Sequence, residues 1–264
     1  VNTARFATPG ASVVFFLIAL VAGALNSVAG GGSFISFPAL LFFGMPAIPA
    51  NATSTLALWP GTVASSFAYR REITGVARRV LWTLLPASFL GAIAGTWILL
   101  HAPASTFLHL IPWLMLLATG LFAFGPKLAS YVRSASSDGS HSVGLIIVSL
   151  VLQLAIAAYV GYFGAGAGIA LLALFVVMGV TNIHAANGLK TILVSIANAV
   201  AIALFTWNHV IVWPTALIMT VGASLGGYWG AYLAQRMNAQ AVRRLVIVVG
   251  LAMSIYFFIQ YGVW

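Results

Sequence analysis

Asn26-Ser-Val-Ala-Gly-Gly-Gly-Ser33 stands between two apolar runs near the start of the chain. Each glycine costs roughly 1 kcal/mol against alanine inside a helix, so three in a row predict a break between two helices. A weaker copy, Gly161-Tyr-Phe-Gly-Ala-Gly-Ala-Gly168, occupies the second half. The rest of the chain reads as a scaffold that holds these two breaks in a membrane.

Composition sets the class. The chain is 62% hydrophobic and 5% charged, whereas a soluble domain carries about a quarter charged residues. An integral membrane protein follows. Its apolar segments have helical length, unlike the roughly ten-residue alternating strands of an outer-membrane barrel, so the class is all-α. With no cysteine, disulfides and thiolate metal sites are excluded. Val13 to Ala22 has the apolarity of a signal peptide, but Arg5 is a thin basic region and the run continues into the glycines. It is therefore expected to be part of the structure. The net charge of +9 would suggest nucleic acid in a soluble protein; here it reports topology, and no nucleic-acid partner is expected.

Apolar segments fall at 12–29, 33–44, 50–69, 79–100 and 106–125, then at 144–163, 167–179, 185–206, 210–234 and 243–262. Pro60, Pro86, Pro112 and Pro214 lie inside them and should kink or begin helices. A polar stretch with Ser134-Ala-Ser-Ser-Asp-Gly-Ser140 separates the groups. The expected organisation is a first repeat at 1–126, a cytoplasmic linker at 127–142 and a second repeat at 143–264. An offset of 136 pairs Gly30 with Gly166, Gly32 with Gly168, Asn51 with Asn187, Thr55 with Thr191 and Gly91 with Gly227, without a gap. Small residues recur in any membrane protein, but the paired Asn and Thr speak for repetition.

Charge gives orientation. Arg70, Arg71, Arg78 and Arg79 cluster after the third segment, whereas the matching loop near Asn208 has no Lys or Arg. Positive loops face the cytoplasm, so equivalent loops face opposite sides and the repeats are expected to be inverted. The segment at 33–44 spans about 18 Å as a helix, too short for a core of about 30 Å. The economical arrangement is two re-entrant hairpins whose glycine tips meet near mid-membrane. Backbone of that kind is tolerated there only when buried in protein or lining a wet cavity.

Each tip leads into a helix whose unpaired N–H groups and positive dipole end suit an anion. The only carboxylates are Glu72 and Asp138, both in expected loops, which leaves none at depth to hold a cation. Of the 11 basic residues, Lys190 stands apart in Asn187-Gly-Leu-Lys-Thr191, where the first half has Ser54. It serves either as the counter-charge of an anion or as a residue snorkelling to headgroups. Asn51 and Thr55, like Asn187 and Thr191, share one helix face and can either bind substrate or join helices. The candidate substrate-binding set is Asn26, Gly30, Gly31, Gly32, Ser33, Asn51, Thr55, Gly166, Gly168, Asn187, Lys190 and Thr191. Ser54 and Asn198 are weaker candidates. Histidines 101, 109, 141, 184 and 209 lack HxxxH or HExxH spacing, so neither a metal site nor any other cofactor is expected. No nucleophile with a base is evident, and an enzyme is not expected.

Ala22-Gly-Ala-Leu-Asn-Ser-Val-Ala-Gly-Gly-Gly-Ser-Phe-Ile-Ser-Phe-Pro38-Ala-Leu40, followed by Gly44-Met-Pro46 and Ala50-Asn-Ala-Thr-Ser-Thr55, resembles the sulfite exporter TauE/SafE family, also called the 4-toluene sulfonate uptake permeases. Gly161 to Gly168 with Ala186-Asn-Gly-Leu-Lys-Thr191 is similar to its second repeat. There Leu174 stands for Pro38 and Ala167 for the middle glycine, which would make that tip a weaker binder or a gate. The resemblance implies a bacterial or archaeal inner-membrane carrier of sulfite, sulfoacetate or another organosulfonate. The expectation is a secondary transporter, an exporter by the resemblance, working by alternating access around the tips. A passive anion channel of the same architecture is the alternative. A homodimer is expected from the many small residues available for helix contacts.

Overall fold

A computed structural model describes residues 9–135, 143–180, 182–234 and 239–261. Arg5, Asp138 and His141, named above, lie outside the described residues. The helices are α1 (Pro9–Ala29), α2 (Ser33–Phe42), α3 (Ala47–Ala68), α4 (Gly75–His101), α5 (Ala104–Ala135), α6 (Val143–Tyr162), α7 (Ala167–Val177), α8 (Ile183–Trp207), α9 (Trp213–Ala234) and α10 (Ala239–Tyr261), with a 3-10 turn at Arg70–Glu72. No strand occurs among the described residues. The protein is all-helical, and α1, α4, α5, α6, α8 and α10 each contain a stretch long and apolar enough to cross a membrane.

Local chemistry sets the ends. Pro46 precedes α3, and the Asn182 side chain caps α8 by accepting from the N–H groups of His184 at 2.8 Å and Ala185 at 3.2 Å. Gly44 and Gly179, at φ +80° and +79°, close α2 and α7 with matching Schellman turns. In these turns Met45 N–H reaches Leu40 O and Val180 N–H reaches Phe175 O. Polar residues inside α3 satisfy themselves: Thr62, Ser65 and Ser66 donate to carbonyls four residues back. The helix α5 continues through Ala135, past the expected end of its apolar segment at residue 125. Its 32 residues span about 48 Å, more than the bilayer core requires.

Glycine contacts reveal direction. Gly222 faces Phe16, Gly226 faces Leu20 and Gly230 faces Ala24, so α1 and α9 run parallel with backbones touching. Gly91 against Leu154 and Gly95 against Ala158 make α4 and α6 a second parallel pair. By contrast α3 and α8 cross antiparallel: Trp59 meets Ser195, and Tyr69 meets Gly188. The first of these contacts joins positions 136 apart. Packing partners also exchange between halves, with α1 on α9 matched by α6 on α4, and α3 on α9 by α8 on α4.

The offset is not gapless. It is 136 at Gly30/Gly166 and Asn51/Asn187 but 135 at the two Schellman turns. The second half loses one residue between tip and turn and regains it before Asn187. Against this ladder Pro38 aligns with Ala173 rather than Leu174.

A core containing Phe34, Phe37, Phe107, Phe163 and Phe205 sits around both breaks. Phe37 and Phe163 meet edge to face at 5.4 Å and join α2 to the second break. The outside is apolar as well: Val13, Leu17 and Val21 are each more than half exposed along one face of α1, as lipid contact permits.

Candidate functional site

At the first break, the Gly30 N–H closes α1 on the Asn26 carbonyl at 2.8 Å, and the chain then turns through φ +75° at Gly30. Gly32 is packed so closely that a Cβ would stand 2.6 Å from the Ala22 carbonyl oxygen and 2.8 Å from Asn26 Cβ. The fold thus brings Asn26 and Gly32 together, while Gly30 faces open space. Gly31 is buried and Ser33 half-buried at the start of α2. The returning α2 runs antiparallel to α3, with Gly32 beside Leu58 and Ser36 Oγ 2.7 Å from Ser54 Oγ. Leu58 lies halfway along α3, so the tip is level with the middle of that helix.

The second break repeats the turn. Gly166, equivalent to Gly30, adopts φ +76°, and Gly164 adopts +83°. Only glycine takes this region without strain, which explains its placement at both positions. Gly166 is buried against Ala118 of α5. The Tyr159 hydroxyl holds the turn by donating to the Ala165 carbonyl at 2.7 Å. The arms are unequal in both hairpins. The outgoing α1 and α6 have 21 and 20 residues, about 30 Å each, while α2 and α7 have 10 and 11, about 16 Å.

Lys190 belongs to the second tip. Its methylenes lie across Gly168, where a Cβ would stand 2.9 Å from Lys190 Cδ, and its Nζ donates to Asn187 Oδ1 at 2.9 Å. A side chain at 168 would displace the lysine, so the glycine makes room for the charge. Gly168, Asn187 and Lys190 are therefore brought together, half-buried.

The other candidates are engaged elsewhere. Asn51 donates to the Tyr162 carbonyl at 3.2 Å, capping the end of α6 from the opposite half. Thr55 donates to the Asn51 carbonyl at 2.8 Å and Thr191 to Gly188 at 2.9 Å, which uses both hydroxyl protons on their own helices. Their oxygens can still accept. No hydrogen bond among the described residues joins the first tip to the second. Trp59 spends its N–H on the Ser195 carbonyl at 2.9 Å. The four described histidines are exposed, and no cluster of three metal-ligating side chains exists among the described residues. Tyr159 and Ser36 were not legible as site residues. A tyrosine within an apolar run was the one available signal, since a buried phenol must find an acceptor.

A family model described as sulfite exporter TauE/SafE matches residues 15–257. The chain belongs to that family. Its TauE/SafE relatives include a "Probable membrane transporter protein" of Haemophilus influenzae, 28% identical over 242 residues, covering 91% of this chain and 92% of that protein. "Probable membrane transporter protein YfcA" of Escherichia coli K12 is 26% identical, covering 91% and 87%. "Probable membrane transporter protein ORF9" of Sinorhizobium sp. is 26% identical, covering 91% and 89%. No solved structure matches the chain. The protein is a multi-pass member of a family of membrane transporters, and both breaks lie within the matched region.

Proposed function

We propose that this TauE/SafE protein is a secondary transporter, an exporter, of a small sulfur-containing anion such as sulfite, sulfoacetate or another organosulfonate. The observation that carries the reading is Lys190 lying across Gly168 at the second tip. A cation beside a glycine-lined helix start, with no carboxylate partner, is an anion site in search of its charge. In this reading the chain forms two inverted halves divided near 127–142, and each parallel pair, α1/α9 and α4/α6, joins one helix from each half. The half-length arms α2 and α7 are re-entrant, and their tips form the central site. The halves rock about the α3/α8 crossing to open the site alternately to each side of the inner membrane.

Flux into proteoliposomes, screened over sulfite, sulfate, sulfoacetate, taurine and chloride, tests the proposal. Saturable uptake of a sulfur oxyanion supports it; the absence of any saturable, anion-dependent flux or binding sinks it. Glu72 is the one carboxylate among the described residues, so no acidic coupling group is placed at the tips. That observation favours a channel as the second reading. Counterflow separates the two: a carrier shows trans-stimulation and a channel does not.

A further inference from the structure

The start of α4, the start of α6 and the end of α7 enclose a lateral recess away from the tips. Val76, Val80, Leu145, Ile146 and Met178 give it apolar walls, and Arg79, Thr83 and Ser149 add three polar side chains. Ser149 is 1% exposed, and its hydroxyl has no hydrogen-bond partner. Thr83 donates to the Arg79 carbonyl at 3.0 Å, so its oxygen is left only to accept. The recess therefore presents a guanidinium at its lip and one unused hydroxyl donor in its wall. An orphaned donor in an apolar setting is costly, and such a group normally marks a missing partner.

The geometry points to a binding site for an anionic phospholipid. The register of α4 on α6, with Gly91 beside Leu154 and Gln153 bonded to Ser88, puts Ser149 level with residues 84–86, about 8–10 Å deeper than Arg79. With its phosphate on the Arg79 guanidinium, a lipid would send its glycerol ester carbonyls, which are acceptors, down the recess toward Ser149. The walls fit as well. Val76 and Ile146 are exposed on the outer surface, and Trp82 close by is exposed in the manner of an interfacial aromatic. A water-soluble anion would leave that apolar wall unused, whereas an acyl chain covers it. Arg70, Arg71 and Arg78 give this side the positive charge that attracts anionic lipid. The equivalent positions of the opposite half are Thr215, Met219 and Val13, so the site exists on the arginine-rich side alone.

The test is lipid binding by the purified full-length chain in detergent, read by native mass spectrometry and by thermal melting. Dioleoyl phosphatidylglycerol should bind and raise the melting temperature, and dioleoyl phosphatidylcholine should do neither. Arg79→Gln should weaken phosphatidylglycerol binding by about tenfold, the worth of one charge-assisted bond, and Ser149→Ala by a smaller factor. Arg71→Gln, on the same side but outside the recess, should bind like the parent and so controls for general charge attraction. Equal binding of both lipids, or undiminished phosphatidylglycerol binding by a folded Arg79→Gln, overturns the site. Competition by millimolar inorganic phosphate also overturns it, in favour of a soluble anion. None of these readouts involves transport, so failure here leaves the tip reading standing, and the reverse holds too.

Discussion

At the first break Gly30 turns at φ +75° near a neutral pair, Ser36 and Ser54; at the second Gly166 turns at +76° near a charged pair, Lys190 and Asn187. The backbone device is the same, and the side chains around it are not. Position 54 and its equivalent 190 decide the difference. Serine binds a neighbour on α2 and pins the returning arm, whereas lysine lies over the arm and donates to Asn187. Asn51 and Asn187 diverge in the same sense, one stapling the opposite half at Tyr162 and the other steadying the lysine. An anion shared between two such tips would be held unequally. The second tip, which lacks the middle glycine at Ala167, is the one that has a lysine across it.

The largest expected effect breaks this asymmetry outright. Lys190→Ala should weaken sulfonate or sulfite binding by about tenfold to a hundredfold, the range for one charge-assisted contact, with little change in thermal stability. Equilibrium binding and melting curves measured side by side check it, and unchanged affinity would return Lys190 to a lipid-facing role. Next come the parallel helix pairs. Gly95→Leu and Gly226→Leu each force a side chain into the backbone of Ala158 or Leu20, and each should destabilise by about 1–3 kcal/mol or more. Similar losses in a detergent denaturation series would show the two seams to be equivalent; a loss at only one would show that the halves differ in strength as well as charge.

A finer probe is alanine at the two turns. Gly30→Ala meets open space and should cost only the left-handed backbone strain, about 1–2 kcal/mol. Gly166→Ala adds a contact of 3.1 Å with the Ala118 backbone, so it should melt at a lower temperature than Gly30→Ala. The reverse order would mean that the first turn is the more tightly held. The smallest effect is at the neutral pair. A double-mutant cycle of Ser36→Ala with Ser54→Ala should give a coupling of about 0.6 kcal/mol, typical of hydrogen bonds between membrane helices. A coupling near zero would remove the pinning role given to Ser54.

Much of this was legible in the chain. All ten expected segments are helices, with ends moved by a few residues, because long apolar runs must satisfy their backbone internally in lipid. The equivalence of Gly30 and Gly166 was also legible, since only glycine takes the turn that both require. The end of α5 was not: Lys127 to Ala135 is polar enough to read as linker, yet the helix runs on through it. The single-residue slip between the two glycine turns and the two Schellman turns escaped for another reason. Shared glycines mark turns, and only hydrogen bonds show which carbonyl each turn closes on.

Sequence by itself determined a membrane-embedded, all-helical chain with two glycine breaks, no carboxylate in its apolar segments and one lysine where none is expected. Those facts follow from composition and from local backbone preference, which do not depend on neighbours distant in the chain. Tertiary structure alone decided that Lys190 lies across Gly168, that Asn51 caps the opposite hairpin and that Thr55 and Thr191 spend their protons at home. A polar residue in a membrane helix must find a partner, and several lie within reach in any sequence. Packing settles which one is taken.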